Sequence, residues 1–295
     1  MIPTKVGFAG LGRMGVPMAA RIAEHGFPLT VWNRTAGRTE PLARHGASVA
    51  GTLHEVAAGS HVVITMLSDG EAALAVWAGP GGLLETCAPG TIGIDMSTTG
   101  PRAARDIASR AERAGVRFLD APVSGSVALA EQGRLTAMAG GDPCALAKAL
   151  PVLQAMTAKQ LHLGPAGAGA AMKLAVNIMI ATVNQAVAEA LALSAGAGID
   201  PRDAYDALTV SAVSSPFLRY KRDAYLAADD VPVSFTTALM AKDLQLALDI
   251  AGETALPLAV TATAKESLDQ ACAAGFSDAD FACVARLLRP RPPSG

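Results

Sequence analysis

Neither a metal-ligand pattern nor a redox cysteine pair occurs in this sequence of 295 residues. The four cysteines, Cys87, Cys144, Cys272 and Cys283, lie far apart and form no CxxC spacing. Reduced thiols in a cytosolic protein are the default reading of such cysteines. The five histidines, His25, His45, His54, His61 and His162, are scattered with no partner motif, so neither a metal site nor a histidine base is expected. A dominant charge is missing as well: 24 Lys and Arg against 26 Asp and Glu leave a net charge of −2. Without a basic stripe, neither nucleic acid nor an anionic membrane is an expected partner. No basic n-region or long apolar run follows Met1, so no export signal is expected and the cytoplasm is the expected compartment. No internal repeat or low-complexity block stands out, although the proline-rich end is expected to be disordered over 291–295.

What is present centres on residues 167–198, GAGAAMKLAVNIMIATVNQAVAEALALSAGAG. Nothing breaks a helix between 170 and 195, and Ala, Leu and Met dominate, so the composition predicts one long helix. It is too apolar all round for a surface helix and is interrupted too often for a membrane span of about 18 apolar residues. A helix buried inside a soluble protein is the expectation. At about 100° per residue, Lys173, Asn177 and Asn184 share one narrow sector.

The N-terminal part reads as strand, glycine turn and helix: an apolar run over 5–9, then Gly10-Leu11-Gly12-Arg13-Met14-Gly15, then a helical pattern to His25. GxGxxG in that context is the dinucleotide fingerprint. Its first glycine makes the turn, its second admits the pyrophosphate to the backbone and its third packs helix on strand. The helix N-terminus offers N–H groups to the phosphates. A second strand over 29–32 ends at Asn33-Arg34-Thr35, where an NAD-binding domain usually carries an acid for the ribose 2′-hydroxyl. No acid stands there, and Arg34 suits a 2′-phosphate, so NADP(H) is preferred and NAD(H) remains possible.

Strands over 61–67, 91–96 and 116–120 alternate with helices from about Glu71 and from Pro101, which implies a parallel sheet covered on both faces. Met66 and Leu67 at one strand end and Thr98 at the next are candidate cofactor contacts, with a plain loop position the equal alternative for Thr98. Ser124-Gly125-Ser126, after the strand end Asp120, is a turn able to receive a carboxylate. Strand-like runs over 135–139 and 160–163 complete a first domain over 1–164.

Beyond the joint at 165–169 the period becomes helical. The expected elements are the long interdomain helix, a helix capped by Asp200, one over about 236–252, one starting at Pro257 and one capped by Ser277. The fold class expected is therefore α/β: a Rossmann-type doubly wound parallel sheet over 1–164, then an all-helical domain over 165–290 for substrate and oligomerisation.

Together these segments resemble the β-hydroxyacid dehydrogenase family, which includes 3-hydroxyisobutyrate dehydrogenase and the glyoxylate/succinic semialdehyde reductases. The resemblance spans nearly the whole chain. It is carried by 7–18 (GFAGLGRMGVPM), Asn33-Arg34-Thr35, Asp95-Met96-Ser97-Thr98, 120–126 (DAPVSGS), Met172-Lys173 with Asn177, and Lys242-Asp243-Leu244. It implies Lys173 as the catalytic acid/base, Asn177 and the Ser124-Gly125-Ser126 turn as substrate contacts, and Thr98 and Lys242 at the nicotinamide end. It also implies a C-terminal domain like that of 6-phosphogluconate dehydrogenase and a homodimer or homotetramer. Ser126 stands where many members have glycine, and Ile178 where many have a second asparagine. The combination is more similar to the glyoxylate/succinic semialdehyde reductase branch.

Chemically, hydride delivery to an aldehyde leaves an alkoxide that a positioned ammonium can protonate. Lysine has an unperturbed pKa of about 10.4, which an apolar setting lowers. Phe235, at i−7 from Lys242 on the expected helix, is placed to cover the nicotinamide. The reading is an NADPH-dependent oxidoreductase interconverting a small carboxylated aldehyde and its hydroxy acid. The alternatives are an imine reductase-like enzyme on the same scaffold and a non-catalytic NADPH-binding protein.

Overall fold

The computed structural model describes residues 3–227 and 232–288, so the tail over 291–295 lies outside the described residues. The chain forms two compact units, Met1–Lys173 and Leu174–Gly295.

The first unit is built on a nine-stranded sheet. Its strands are β1 (Val6–Ala9), β2 (Leu29–Trp32), β3 (Ser48–Val49), β4 (Val62–Thr65), β5 (Ile92–Asp95), β6 (Arg117–Asp120), β7 (Val123–Ser124), β8 (Leu135–Gly141) and β9 (Thr157–Gly164). Strands β3-β2-β1-β4-β5-β6 are parallel neighbours, the order of a doubly wound nucleotide-binding sheet. The far edge is mixed rather than parallel: β8 runs antiparallel to β6 and β7, and β9 lies parallel to β8. The intervening helix, Val127–Glu131, has five residues, too few for the helical crossover that usually returns a parallel strand.

Helices α1 (Gly15–Glu24), α2 (Glu40–Ala43), α3 (Leu53–Ala57), α4 (Gly70–Ala78), α5 (Pro101–Arg113), α6 (Val127–Glu131) and α7 (Pro143–Met156) connect the strands. Strands β1, β4 and β5 are buried along their whole length, as continuous apolar runs must be when helices cover both faces. Alternate residues feed two cores: Val62 and Ile64 join Phe8, Ile22 and Ile94, while Val63 joins Trp77, Ile107 and Phe118. Helix α7 is not foreshadowed by the sequence pattern, because Pro151 interrupts its middle.

Helix α8 (Ala168–Gly196) begins in the first unit and ends in the second. Its continuity bears out the unbroken helix expected, but its burial corrects the expectation. Met172, Met179 and Leu193 are 41%, 63% and 78% exposed. A unit of this size does not cover so long an apolar helix all round. By length and composition α8 also suits a membrane span, contrary to the reading from its interruptions. Its polar sector, however, packs on protein: Asn184 donates to the Phe281 carbonyl at 3.2 Å and accepts from the Tyr225 hydroxyl at 2.6 Å.

The rest of the second unit comprises α9 (Pro201–Val210), α10 (Pro216–Leu226), α11 (Thr237–Glu253), α12 (Ala259–Ala271) and α13 (Val284–Leu287). Asp200 caps α9 as expected, accepting from the Arg202 amide at 2.8 Å. Helix α12 starts two residues beyond Pro257, and Ser277 is not an N-cap: it follows the short helical segment Cys272–Phe276 as its C-cap. The N-cap is Asp280, which accepts from the Ala282 amide. Its carboxylate is also the partner of Lys221, 1% exposed, whose Nζ lies 2.5 Å from Oδ1 and 4.0 Å from the Phe281 ring centre. Asp280 Oδ2 accepts from the amide and hydroxyl of Ser234, fixing the entry to α11.

Candidate active site

In the first unit the glycine turn between β1 and α1 has the geometry its sequence requires. Gly10 has φ +101°, and a Cβ there would lie 2.3 Å from the Met66 carbonyl oxygen. At Gly15 a Cβ would lie 2.0 Å from the Gly10 carbonyl oxygen, so this glycine sets how closely α1 meets β1. At Gly12 nothing comes within 4 Å, leaving the backbone approachable. No side chain caps α1; within its first turn the Val16 amide donates to the Gly12 carbonyl at 3.1 Å and Pro17 has no N–H, so what the helix start offers an anion is chiefly its positive dipole end.

Beside this turn runs a groove of about 510 Å³. It gathers Gly10, Gly12, Asn33, Arg34, Thr35, Met66 and Leu67 from the expected cofactor set. Of the other expected residues in this unit, Leu11 is buried, Met14 packs against the core and Arg13 is exposed beside the turn. Asn33 acts on the protein itself: its Oδ1 accepts from the Leu11 amide at 2.8 Å, and its Nδ2 donates to the Thr35 carbonyl. It braces the glycine turn against the end of β2.

Arg38 lines the groove with Arg34, both exposed, as do Trp32, Leu53, Ala72, Ala75 and Val76. Sequence reading missed these. Arg38 had a signal, four residues after Arg34, whereas the apolar wall comes from α3 and α4 and shows no motif.

The groove wall rests on a buried polar relay. The Leu67 amide donates to Ser97 Oγ at 2.8 Å, and the Ser97 and Thr65 hydroxyls donate to Asp95 Oδ1 at 2.6 and 2.7 Å. Burial pushes the Asp95 carboxyl above its usual range despite these donors. Thr98 is half-buried in the loop after β5, outside the groove lining.

The same unit holds the expected substrate turn and Lys173. Ser124 closes β7 opposite Thr136. Gly125 has φ +143°, and a Cβ there would strike Leu135. The Ser126 hydroxyl oxygen caps α6, accepting from the Leu129 amide, a bond that uses one lone pair and leaves its O–H able to donate outward. Lys173 is half-buried on α8, with Ala170 and Leu174 buried beside it and Met172 exposed. Its setting is therefore less enclosed than its apolar neighbours imply.

In the second unit, Asn177 is 2% exposed and its Nδ2 donates to Asp243 Oδ2 at 2.6 Å. Asp243 is fully buried, and its Oδ1 lies 2.9 Å from Lys242 Nζ. Lys242 and Asn177 thus converge on the Asp243 carboxylate, to which the sequence assigned no role. Phe235 precedes α11, whose cap is Thr236, so it does not share a helical face with Lys242. It packs edge-on to Phe281 with ring centres 6.3 Å apart.

Comparisons with known proteins match both parts of the chain. Residues 5–164 match the NAD binding domain of 6-phosphogluconate dehydrogenase, and residues 167–288 match the NAD-binding family of NADP-dependent 3-hydroxyisobutyrate dehydrogenase. The chain belongs to the β-hydroxyacid dehydrogenase family. Among its relatives, glyoxylate/succinic semialdehyde reductase 1 of Arabidopsis thaliana is 35% identical, the match covering 97% of this chain and 98% of that one. The 2-(hydroxymethyl)glutarate dehydrogenase of Eubacterium barkeri is 32% identical over 96% of this chain and 94% of its own.

Among solved structures, 3-hydroxyisobutyrate dehydrogenase of Mycobacterium tuberculosis with L-serine superposes with a TM-score of 0.88. It is 34% identical, the match covering 98% of this chain and all of that one. An imine reductase of Myxococcus stipitatus, 21% identical with a TM-score of 0.66, shares the fold. Like its family, this β-hydroxyacid dehydrogenase is an oxidoreductase acting on CH–OH groups with a pyridine-nucleotide-binding domain.

Proposed function

We propose that the enzyme uses NADPH to reduce a small carboxylated aldehyde of the glyoxylate or semialdehyde type to its hydroxy acid, reversibly, with Lys173 as general acid/base. The observation that carries this reading is that Lys173 and the Ser124-Gly125-Ser126 turn belong to one compact unit with the nucleotide groove. The semialdehyde reductase and hydroxyacid dehydrogenase relatives support the substrate class.

The groove fits a dinucleotide: an open Gly12 and an uncapped α1 for the pyrophosphate, with Arg34 and Arg38 for a 2′-phosphate. When bound, the nucleotide supplies the hydride. Hydroxyl and amide donors of the Ser124-Gly125-Ser126 turn hold the substrate carboxylate. Lys173 donates its proton to the carbonyl oxygen as that oxygen gains charge, and afterwards takes a proton from solvent. Asn177, whose Nδ2 donates to Asp243, is assigned to the substrate as an uncharged hydrogen-bonding group. Thr98, Phe235 and Lys242 are assigned to the nicotinamide end.

The exposed apolar side of α8 supports a homodimer or homotetramer in which a second copy covers it, and a stable monomer by sedimentation at micromolar concentration would refute that. Free thiols at all four cysteines suit the cytoplasm, a placement that cell fractionation checks.

A steady-state screen of glyoxylate and succinic, methylmalonate and tartronate semialdehydes, with NADPH and NADH in parallel, tests the reading. Turnover of at least one, with kcat/KM roughly tenfold or more higher with NADPH, is expected. Turnover of cyclic imines alone, or no NADPH oxidation across the panel, would refute it.

A further inference from the structure

Helix α8 starts without a local cap. The residues before it, Gly164-Pro165-Ala166-Gly167, carry no side chain able to accept a hydrogen bond, yet the first N–H groups of any helix lack intrahelical partners. Asp120 supplies what is missing from 47 and 50 residues away. Its Oδ1 accepts from the Gly167 amide at 2.7 Å and its Oδ2 from the Ala170 amide at 2.8 Å. One remote carboxylate thus satisfies the amide ahead of the helix and the amide of its third residue, both donors of an ordinary capping box.

The joint is closely packed. A Cβ at Gly169 would lie 2.1 Å from the Met138 carbonyl oxygen and 3.0 Å from Asp120 Oδ2, and one at Gly140 would lie 2.7 Å from Asp120 Oδ1. Asp120 is 1% exposed. Burial pushes its carboxyl above the usual range, with the Gly167 and Ala170 amides drawing it part of the way back.

Asp120 also closes β6, and the Ser124-Gly125-Ser126 turn follows four residues later. Lys173 lies three residues beyond Ala170, about one helical turn. We propose that Asp120 is a positioning residue for proton transfer: its carboxylate pins the first turn of α8 to the end of β6, fixing Lys173 relative to the substrate turn. This rests on Lys173 being the proton donor. Misplacing a reacting group by about 1 Å can cost on the order of 100-fold in rate, so the pin acts on kcat.

The test is a double-mutant cycle on the full-length enzyme with NADPH and its best aldehyde substrate. Asp120→Asn keeps one acceptor oxygen but turns an NH₂ group toward one of the two amides. Asp120→Glu keeps both acceptors on a stem one methylene too long for the glycine-lined joint. Each is expected to lower kcat by roughly ten- to 100-fold while the NADPH Kd, read by fluorescence titration, stays within about twofold.

In a Lys173→Ala background neither substitution lowers the residual rate further, because no ammonium remains to be positioned. If Asp120→Asn does not fold, Asp120→Glu carries the cycle. Wild-type kcat in a folded Asp120 variant, or the same fractional loss in both backgrounds, overturns the proposal. Full turnover by Lys173→Ala alone would overturn it as well, and would show that the proton-donor reading itself had failed.

Discussion

Two buried carboxylates, one in each unit, solve the same problem in opposite ways. Asp120 is 1% exposed and is offset by backbone amides at the start of α8. Asp280 is 8% exposed and faces a buried ammonium, Lys221 Nζ, at 2.5 Å. Burial raises the Asp120 carboxyl on balance. At Asp280 burial also pushes upward, but the Lys221 ammonium outweighs it and holds the carboxyl below its usual range. Amide dipoles fix geometry to within one helical turn, whereas a buried charge pair carries a larger penalty when one member is removed.

The largest effect should come from breaking the pair on one side only. Lys221→Ala leaves Asp280 without its counter-charge and is expected to cost about 3–5 kcal/mol by urea unfolding. A loss below about 1 kcal/mol would mean that the Ser234 and Ala282 donors suffice, and would erase the contrast with Asp120.

Next are charges that stay in water. Replacing both Arg34 and Arg38 by Ala is expected to raise the KM for NADPH by roughly ten- to 100-fold through lost charge-assisted hydrogen bonds. The KM for NADH should stay within about threefold, and an equal rise for both nucleotides would refute the 2′-phosphate assignment. Asp120→Asn should cost less in folding than Lys221→Ala, about 1–3 kcal/mol, because it leaves one amide donor unsatisfied rather than an ion unpaired.

The smallest effects are the pH slopes, and their signs differ. The Asp280 carboxyl is lowered on folding, so its contribution is present above the unfolded value of about 3.9 and is lost as pH falls through the folded value. The Asp120 carboxyl is raised, so its contribution is full below about 3.9 and declines as pH rises through the folded value. Urea unfolding of the wild type, Asp280→Asn and Asp120→Asn across the acid range should flatten the two slopes separately. Slopes of one sign in both would contradict the comparison.

The difference between the two carboxylates also marks how far the sequence could be read. Strand, glycine turn and helix around Gly10, Gly12 and Gly15 were legible because a periodic pattern and a local steric demand coincide there. The long helix was legible from composition, but not its exposure, since that depends on how much surrounding chain packs on it. Asp120, Asp243 and Asp280 were not legible as buried acceptors. Their partners lie 47, 66 and 59 residues away, and nothing in a linear pattern joins them. The same limit explains Asp280. A Ser277 cap with an acid three residues on suits a local motif, yet the chain uses that acid for Lys221 and Ser234. Arg38 was open to inspection beside Arg34, whereas the α3 and α4 side of the groove required the fold.

Turnover by Lys173→Ala tests the central claim most directly. With the preferred aldehyde and saturating NADPH, kcat is expected to fall by roughly 10²- to 10⁴-fold while the NADPH Kd changes by less than about twofold. Full activity with unchanged nucleotide binding would contradict Lys173 as the proton donor.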